Sequence, residues 1–164
     1  MPPVGNYHGL QYEGFSVAVQ TSSSNGLNAH SNPNTADATL NTTPQTYGSL
    51  ALFPLGDIRR AFPTQFFDLR SFYFGCEANV GQTAATVSES CSISVTGFYV
   101  NGQQAPTASF VYTPNSVNNA ELQFAVLPAG YTGLQNVTFG ISASEPAPAQ
   151  LTVLAIDNLV HCNY

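Results

Sequence analysis

The chain has 164 residues, a formal charge of −6 and three cationic side chains, all of them arginine. That balance excludes a basic patch able to displace counterions from nucleic acid or to settle on an anionic membrane surface. Charged residues make up 7% of the chain, against roughly a quarter in an average soluble protein. Ser, Thr, Asn and Gln supply the polar surface instead, as suits an extracellular all-β protein forming one domain, 1–164.

In chain order, residues 9–20 alternate as a half-buried strand, with Phe15, Val17 and Val19 on one side. Residues 21–48 are almost wholly Ser, Asn, Thr, Gly, Pro and Ala, with one short strand at 36–40. A loop this long in a compact domain is functional or disordered; His30 within it is read as solvated, with a ligand role as the alternative. Residues 49–55 form a short apolar strand ended by Pro54. Residues 56–63 are a Gly- and Pro-bounded loop holding Asp57, Arg59, Arg60 and Phe62. Two arginines beside an aromatic suit a clamp for a carbonyl or carboxylate oxygen. A solvated turn with a local Asp57–Arg59 pair is the plainer alternative.

The stretch 66–76 is the most aromatic strand of the chain. Strict alternation puts Phe67, Leu69, Ser71 and Tyr73 on one face and Phe66, Asp68, Arg70, Phe72, Phe74 and Cys76 on the other. Both faces carry large side chains, and one core covers only one of them. The second face, with Arg70, is the first place to look for a site, unless loops cover it and Arg70 merely pairs with Asp68.

Residues 77–90 read as a polar loop. Cys76 and Cys91 flank it from two strand ends, which suits a disulfide worth roughly 3 kcal/mol in the chain-entropy model. Cys162 is left as a buried free thiol, since no metal-ligand spacing joins the cysteines to His161. Strands follow at 91–100, with Ile93, Val95 and Tyr99 inward, and at 108–113. They are joined through Asn101-Gly102 as a two-residue hairpin turn. Further alternation at 121–126 and 136–141 gives two more strands, the second with Asn136 outward. Residues 151–160 are apolar on both faces and read as a central strand. Seven to nine short strands without helical periodicity imply a two-sheet antiparallel sandwich of jelly-roll type.

Met1-Pro2-Pro3 lacks the charged and apolar regions of a signal peptide. It reads as a start methionine on a mature secreted chain whose leader has been removed. The sequons at Asn41 and Asn136 agree with secretion and glycosylation.

Four segments together resemble a known group: 7–15 (YHGLQYEGF), 67–76 (FDLRSFYFGC), 94–98 with Asn101-Gly102, and Asp157-Asn158-Leu159. The chain resembles small secreted fungal proteins with jelly-roll sandwiches similar to carbohydrate-binding modules. It is also similar to the hetero-Diels–Alderases of tropolonic sesquiterpene pathways. The first resemblance implies fold and secretion; the second implies cycloaddition of a quinone methide to a polyene, with no catalytic residue carried across.

Two functions follow as expectations. A pericyclase needs no cofactor and no metal; it brings two apolar reactants together and directs donors at a carbonyl. Arg70 and Arg59 are the expected catalytic donors, with Phe72, Phe74, Arg60, Phe62, Tyr73 and Tyr99 as the substrate-binding surface and the 21–48 loop as lid. A sugar-binding module would use Tyr7, Tyr12, Tyr73 and Tyr99 as ring surfaces, and Asp157 with Glu13 could flank a calcium; the absence of Trp counts against it. The expected partner is an apolar small molecule, and a homodimer is allowed.

Overall fold

The computed structural model describes residues 1–20, 26–38, 56–63, 65–79, 86–147 and 151–164. The expected strand at 49–55, the sequon at Asn41 and most of the 21–48 loop lie outside them. In chain order the strands are β1 (Pro3–Tyr7), β2 (Leu10–Val19), β3 (Leu27–Asn28), β4 (Asn34–Ala38), β5 (Gly56–Arg60), β6 (Phe67–Asn79) and β7 (Thr86–Ser88). They continue with β8 (Ser90–Tyr99), β9 (Ala108–Tyr112), β10 (Ala120–Glu121), β11 (Gln123–Val126), β12 (Leu134–Glu145) and β13 (Thr152–Asn163). The all-β expectation is met, and no helix among the described residues is long and apolar enough to cross a membrane.

The pairing departs from two separate sheets. One sheet runs β11-β6-β13-β4-β2-β5-β12-β8-β9, and an additional β6–β12 pairing, Leu134 opposite Phe67, closes six of its strands into a ring. Phe15, Ile58, Phe72, Phe74, Val137, Phe139, Ile141 and Leu154 fill its interior, all buried. Phe72 meets Phe139 and Phe110 edge-on, with centroids 5.4 and 5.7 Å away. Such contacts add to the burial of the rings themselves.

Residues 56–60 are a strand, not a loop. β5 lies between β2 and β12 with Ile58 buried at its centre. Its brevity and its Gly and Pro flanks hide a single inward residue between Asp57 and Arg59. The expected 77–90 loop is likewise shorter, because β6 runs on to Asn79 and β7 pairs back onto it.

A bulge explains the doubly apolar β6. Ser71 faces Val160 and Leu69 faces His161, so Arg70 is an extra residue on β6. Between Asp157 and Val160 the extra residue is on β13, where Asn158 takes φ 47°. Each bulge shifts the alternation by one. Phe67 and Leu69 therefore point inward before Arg70, and Phe72, Phe74 and Cys76 point inward after it.

Cys76 and Cys91 are disulfide-bonded and buried. Cys162 is free but exposed, which corrects the expected buried thiol. β13 reaches past 160, and Cys162 lies near its end, beyond the covered part of the sheet. The turn at Asn101-Gly102 is present, but it is not a two-residue loop. Gly102 N–H donates to Tyr99 O (3.0 Å), Gly102 has φ 81°, and Tyr99 N–H donates to Gln103 O (2.9 Å). This is a three-residue turn with a glycine bulge, and β9 begins only at Ala108.

Candidate functional site

A groove of about 710 Å3 lies between β1 with the β1–β2 turn, the start of β4, and the bulged part of β13. Val4, Val17, Ala36, Ile156, Leu159 and Val160 make its apolar lining. Tyr12, His8, Ser31, Asn32, Asn34, Asp157, Asn158 and His161 bring polar atoms to it. No arginine lines it.

Local backbone positions these groups. The β1–β2 turn places His8 in the left-handed region at φ 49°, so its carbonyl turns toward the end of β13. There it accepts from Asn163 Nδ2 (2.8 Å) and meets His161 Nε2 at 3.1 Å. These contacts tie the turn, and with it Tyr7 and His8, to the opposite wall. Asp157 is held by Ser31: its Oδ2 accepts from Ser31 N–H (2.7 Å) and its Oδ1 from Ser31 Oγ–H (2.6 Å) and Asn158 N–H (2.7 Å). The one carboxylate of the groove is therefore already hydrogen-bonded. Burial, with the neighbouring Tyr7 hydroxyl second, pushes Tyr12 up to about 12. Its hydroxyl stays protonated across the physiological range and is available as a donor.

Beside the groove, residues 26–33 form a strap across the outer face of the sheet. The His30 ring stacks on Tyr73 at 3.7 Å and 12°, and Tyr73 in turn meets Phe124 at 5.0 Å. Leu27 and Leu122 lie directly over Gly75, where a Cβ would come within 2.9 and 2.8 Å of their methyl carbons. Glycine is what allows this second layer to approach. His30 is thus held against a ring rather than simply solvated.

The residues expected to form the site do not converge. Phe72 and Phe74 have no exposed surface and belong to the core, the bulge having turned them inward. Arg70 is exposed and makes no ion pair with Asp68; Asp68 Oδ1 accepts instead from Gly133 N–H (3.0 Å) and Tyr164 O–H (2.9 Å). Arg59 sits on the outer face of β5, ion-paired to Glu13 (2.7 Å) and to Asp57. Asn136 Nδ2 donates to Asp57 Oδ1 (3.1 Å) from the adjacent strand. Arg60 lies over the Phe66 ring (5.3 Å) and donates to Gln65 O (3.2 Å), while Phe62 is 59% exposed. Tyr99 is half-buried and donates to Gly130 O (2.6 Å). Tyr73 alone of the expected set adjoins the groove, through His30 and Ser31. Glu13 and Asp157 are engaged with different partners and do not flank a common ion; among the described residues no cluster of three or more His, Cys, Asp or Glu could hold a metal.

What sequence reasoning missed is the groove, because it is made by a split between strands. The traces it leaves are single residues: Asp157-Asn158 interrupting an apolar strand, and Tyr7-His8-Gly9 before a strand start.

The chain matches no protein-family model, and no curated protein matches it in sequence. Among solved structures it is similar in fold to a DUF4465 family protein from Bacteroides caccae, known from a crystal structure. The TM-score is 0.55 at 12% identity, covering 94% of this chain and 80% of that one. At that identity the likeness concerns the fold alone.

Proposed function

We propose that the groove holds an uncharged, largely apolar small molecule carrying a carbonyl. On this reading the protein is a cofactor-independent pericyclase that joins a tropolone-type quinone methide to a sesquiterpene polyene. The observation that carries it is the groove: about 710 Å3, inside the size range of small-molecule sites, apolar with a few convergent polar groups. Its lining has no arginine, and its one carboxylate is already bonded. A multiply anionic ligand would find no arginine there to meet it. Cycloaddition asks only that two reactants be held in reacting geometry and that a donor meet the heterodiene oxygen. Tyr12 takes the donor role in place of Arg70 and Arg59, neither of which lines the groove. The reading extends to a secreted fungal protein of jelly-roll type. The buried disulfide supports secretion, since disulfides persist in oxidising compartments. Glycans at Asn41 or Asn136 and a homodimer belong to the same proposal.

The test is incubation with an electron-poor heterodiene and a polyene, following rate and enantiomeric excess. Product formed above the background rate with one stereoisomer in excess is expected. Racemic product at the background rate would overturn the catalytic reading.

A second reading, a carbohydrate-binding protein without catalysis, is favoured by one feature. The His30–Tyr73–Phe124 stack is open at Phe124, which is 51% exposed. Retention on insoluble chitin, cellulose or glucan, released by the matching soluble oligosaccharide, would support it; the pericyclase reading expects the protein in the supernatant.

A further inference from the structure

Two carboxylates are buried on the sheet face that the strap crosses, and neither has a cationic partner among the described residues. Asp37 on β4 is 2% exposed and Glu77 on β6 is 4% exposed. Asp37 pairs across to Ala155, and Ala155 to Gly75. Cross-strand partners project to the same side, so Asp37 shares the outer face on which Leu27 covers Gly75.

The strap is fastened to Glu77 through Thr86, and Asp37 lies on the same face of the sheet. Glu77 accepts from Thr86 Oγ–H (2.9 Å), whose oxygen in turn accepts from Gly26 N–H (2.8 Å), and the Leu27 backbone and Gln20 side chain beside it favour its charged form. Asp37 accepts from Thr35 Oγ–H (2.7 Å), and Gln20 Nε2 donates to that Thr35 oxygen (3.4 Å). Farther along, Ser31 to Pro33 of the same strap line the groove.

We propose that the strap 26–33 is a pH-responsive wall of the groove, closed while Asp37 carries a proton and loosened when Asp37 and Glu77 are both ionised. Burial first, and the Glu77 charge in addition, push Asp37 up to about 7 despite the Thr35 hydrogen bond. Burial raises Glu77 too, against three hydrogen bonds that favour its ionised form. The closed state thus holds a proton that an opened strap releases to water. Closure is strongest below the ordinary carboxylate range, weakens as pH climbs from there to about 7, and levels off above it, the reverse of a salt-bridged carboxylate. The other titratable groups nearby are the Tyr112 hydroxyl, which burial first and the Glu77 charge second push upward, His30 on the strap, and Asp157 under Ser31. Ser16 on β2 and Ala155 on β13, the strand neighbours of Asp37, do not titrate.

The proposal stands apart from whether the groove is catalytic. Its test is amide exchange of Leu27 and Ser31 at pH 6 and 8 in EDTA, corrected for intrinsic exchange, with melting temperature followed alongside. The opened fraction should rise on the order of 10-fold between the two pH values, as one group titrating near 7 requires. Asp37→Asn should abolish the rise, and Glu77→Gln should shrink it by lowering the Asp37 titration. His30→Gln should leave it intact. A wild type without the rise, a rise that survives Asp37→Asn, or one lost in His30→Gln would each overturn the proposal. So would Ca2+ raising the melting temperature at pH 8 in wild type but not in Asp37→Asn, because a bound cation would then replace the proton. Should Asp37→Asn fail to fold, the wild-type pair together with Glu77→Gln and His30→Gln decides the question.

Discussion

Around Arg59 every charged group already has a partner: Glu13 and Asp57 flank the guanidinium, and Asn136 completes Asp57 from the next strand. The groove is built the other way. It has volume, an apolar lining and few charges, and its carboxylate is bonded to the strap. Register explains the first arrangement: Glu13 faces Asp57, and Gln11 and Asn136 face Arg59, across three strands. Polar groups that antiparallel pairing brings face to face satisfy one another and leave little for a ligand. A gap between diverging strands leaves room for one. The comparison teaches that, in this chain, chemical prominence in the sequence marks scaffold and concavity marks the candidate site.

The largest expected effect comes from the strand that joins the two regions. Phe72→Ala should cost about 3–5 kcal/mol, as for a fully buried aromatic, read as a shifted denaturant midpoint. A cost under about 1 kcal/mol would mean that Phe72 faces a ligand space and not the core. Arg59→Met should cost about 1–2 kcal/mol. It leaves the largely buried Asp57 with Asn136 alone, and the guanidinium's partial exposure keeps the figure low. Ligand handling should not change; a lost activity with unchanged stability would return Arg59 to the site. Arg70→Met should be the smallest, within about 0.5 kcal/mol, because the side chain is exposed and unpaired among the described residues. A large loss of stability there would reveal a partner.

Much of this fold is legible in the sequence, and the reasons are local. β8 and β12 alternate cleanly because one face of each is buried, as Ile93, Val95, Val137 and Phe139 show. Cys76 and Cys91 flank one short stretch of chain, so their pairing could be read from spacing although β6 runs on past Cys76 to Asn79. β5 could not, since one inward Ile58 gives no period. Strict alternation puts Phe72 and Phe74 on the wrong face, because a bulge at Arg70 shifts the period and nothing in the residue types announces it. The closure of the ring rests on one pair, Leu134 with Phe67, far apart in sequence. The groove depends on that closure and on the bulge at Asn158, which puts it beyond local pattern. Asp37 and Glu77 look like ordinary surface acids until β3 and β10 cover them.

The most direct test of the central claim sets one groove residue against one prominent arginine. Val160→Trp fills the groove from an exposed position on β13 and should leave the melting temperature nearly unchanged. With a heterodiene and a polyene as substrates, it should lower turnover on the order of 30-fold, about 2 kcal/mol of transition-state stabilisation, whereas Arg70→Met should turn over like wild type with the same product stereochemistry. Full activity in Val160→Trp together with a comparable loss in Arg70→Met would contradict the account and move the site to the outer face of β6.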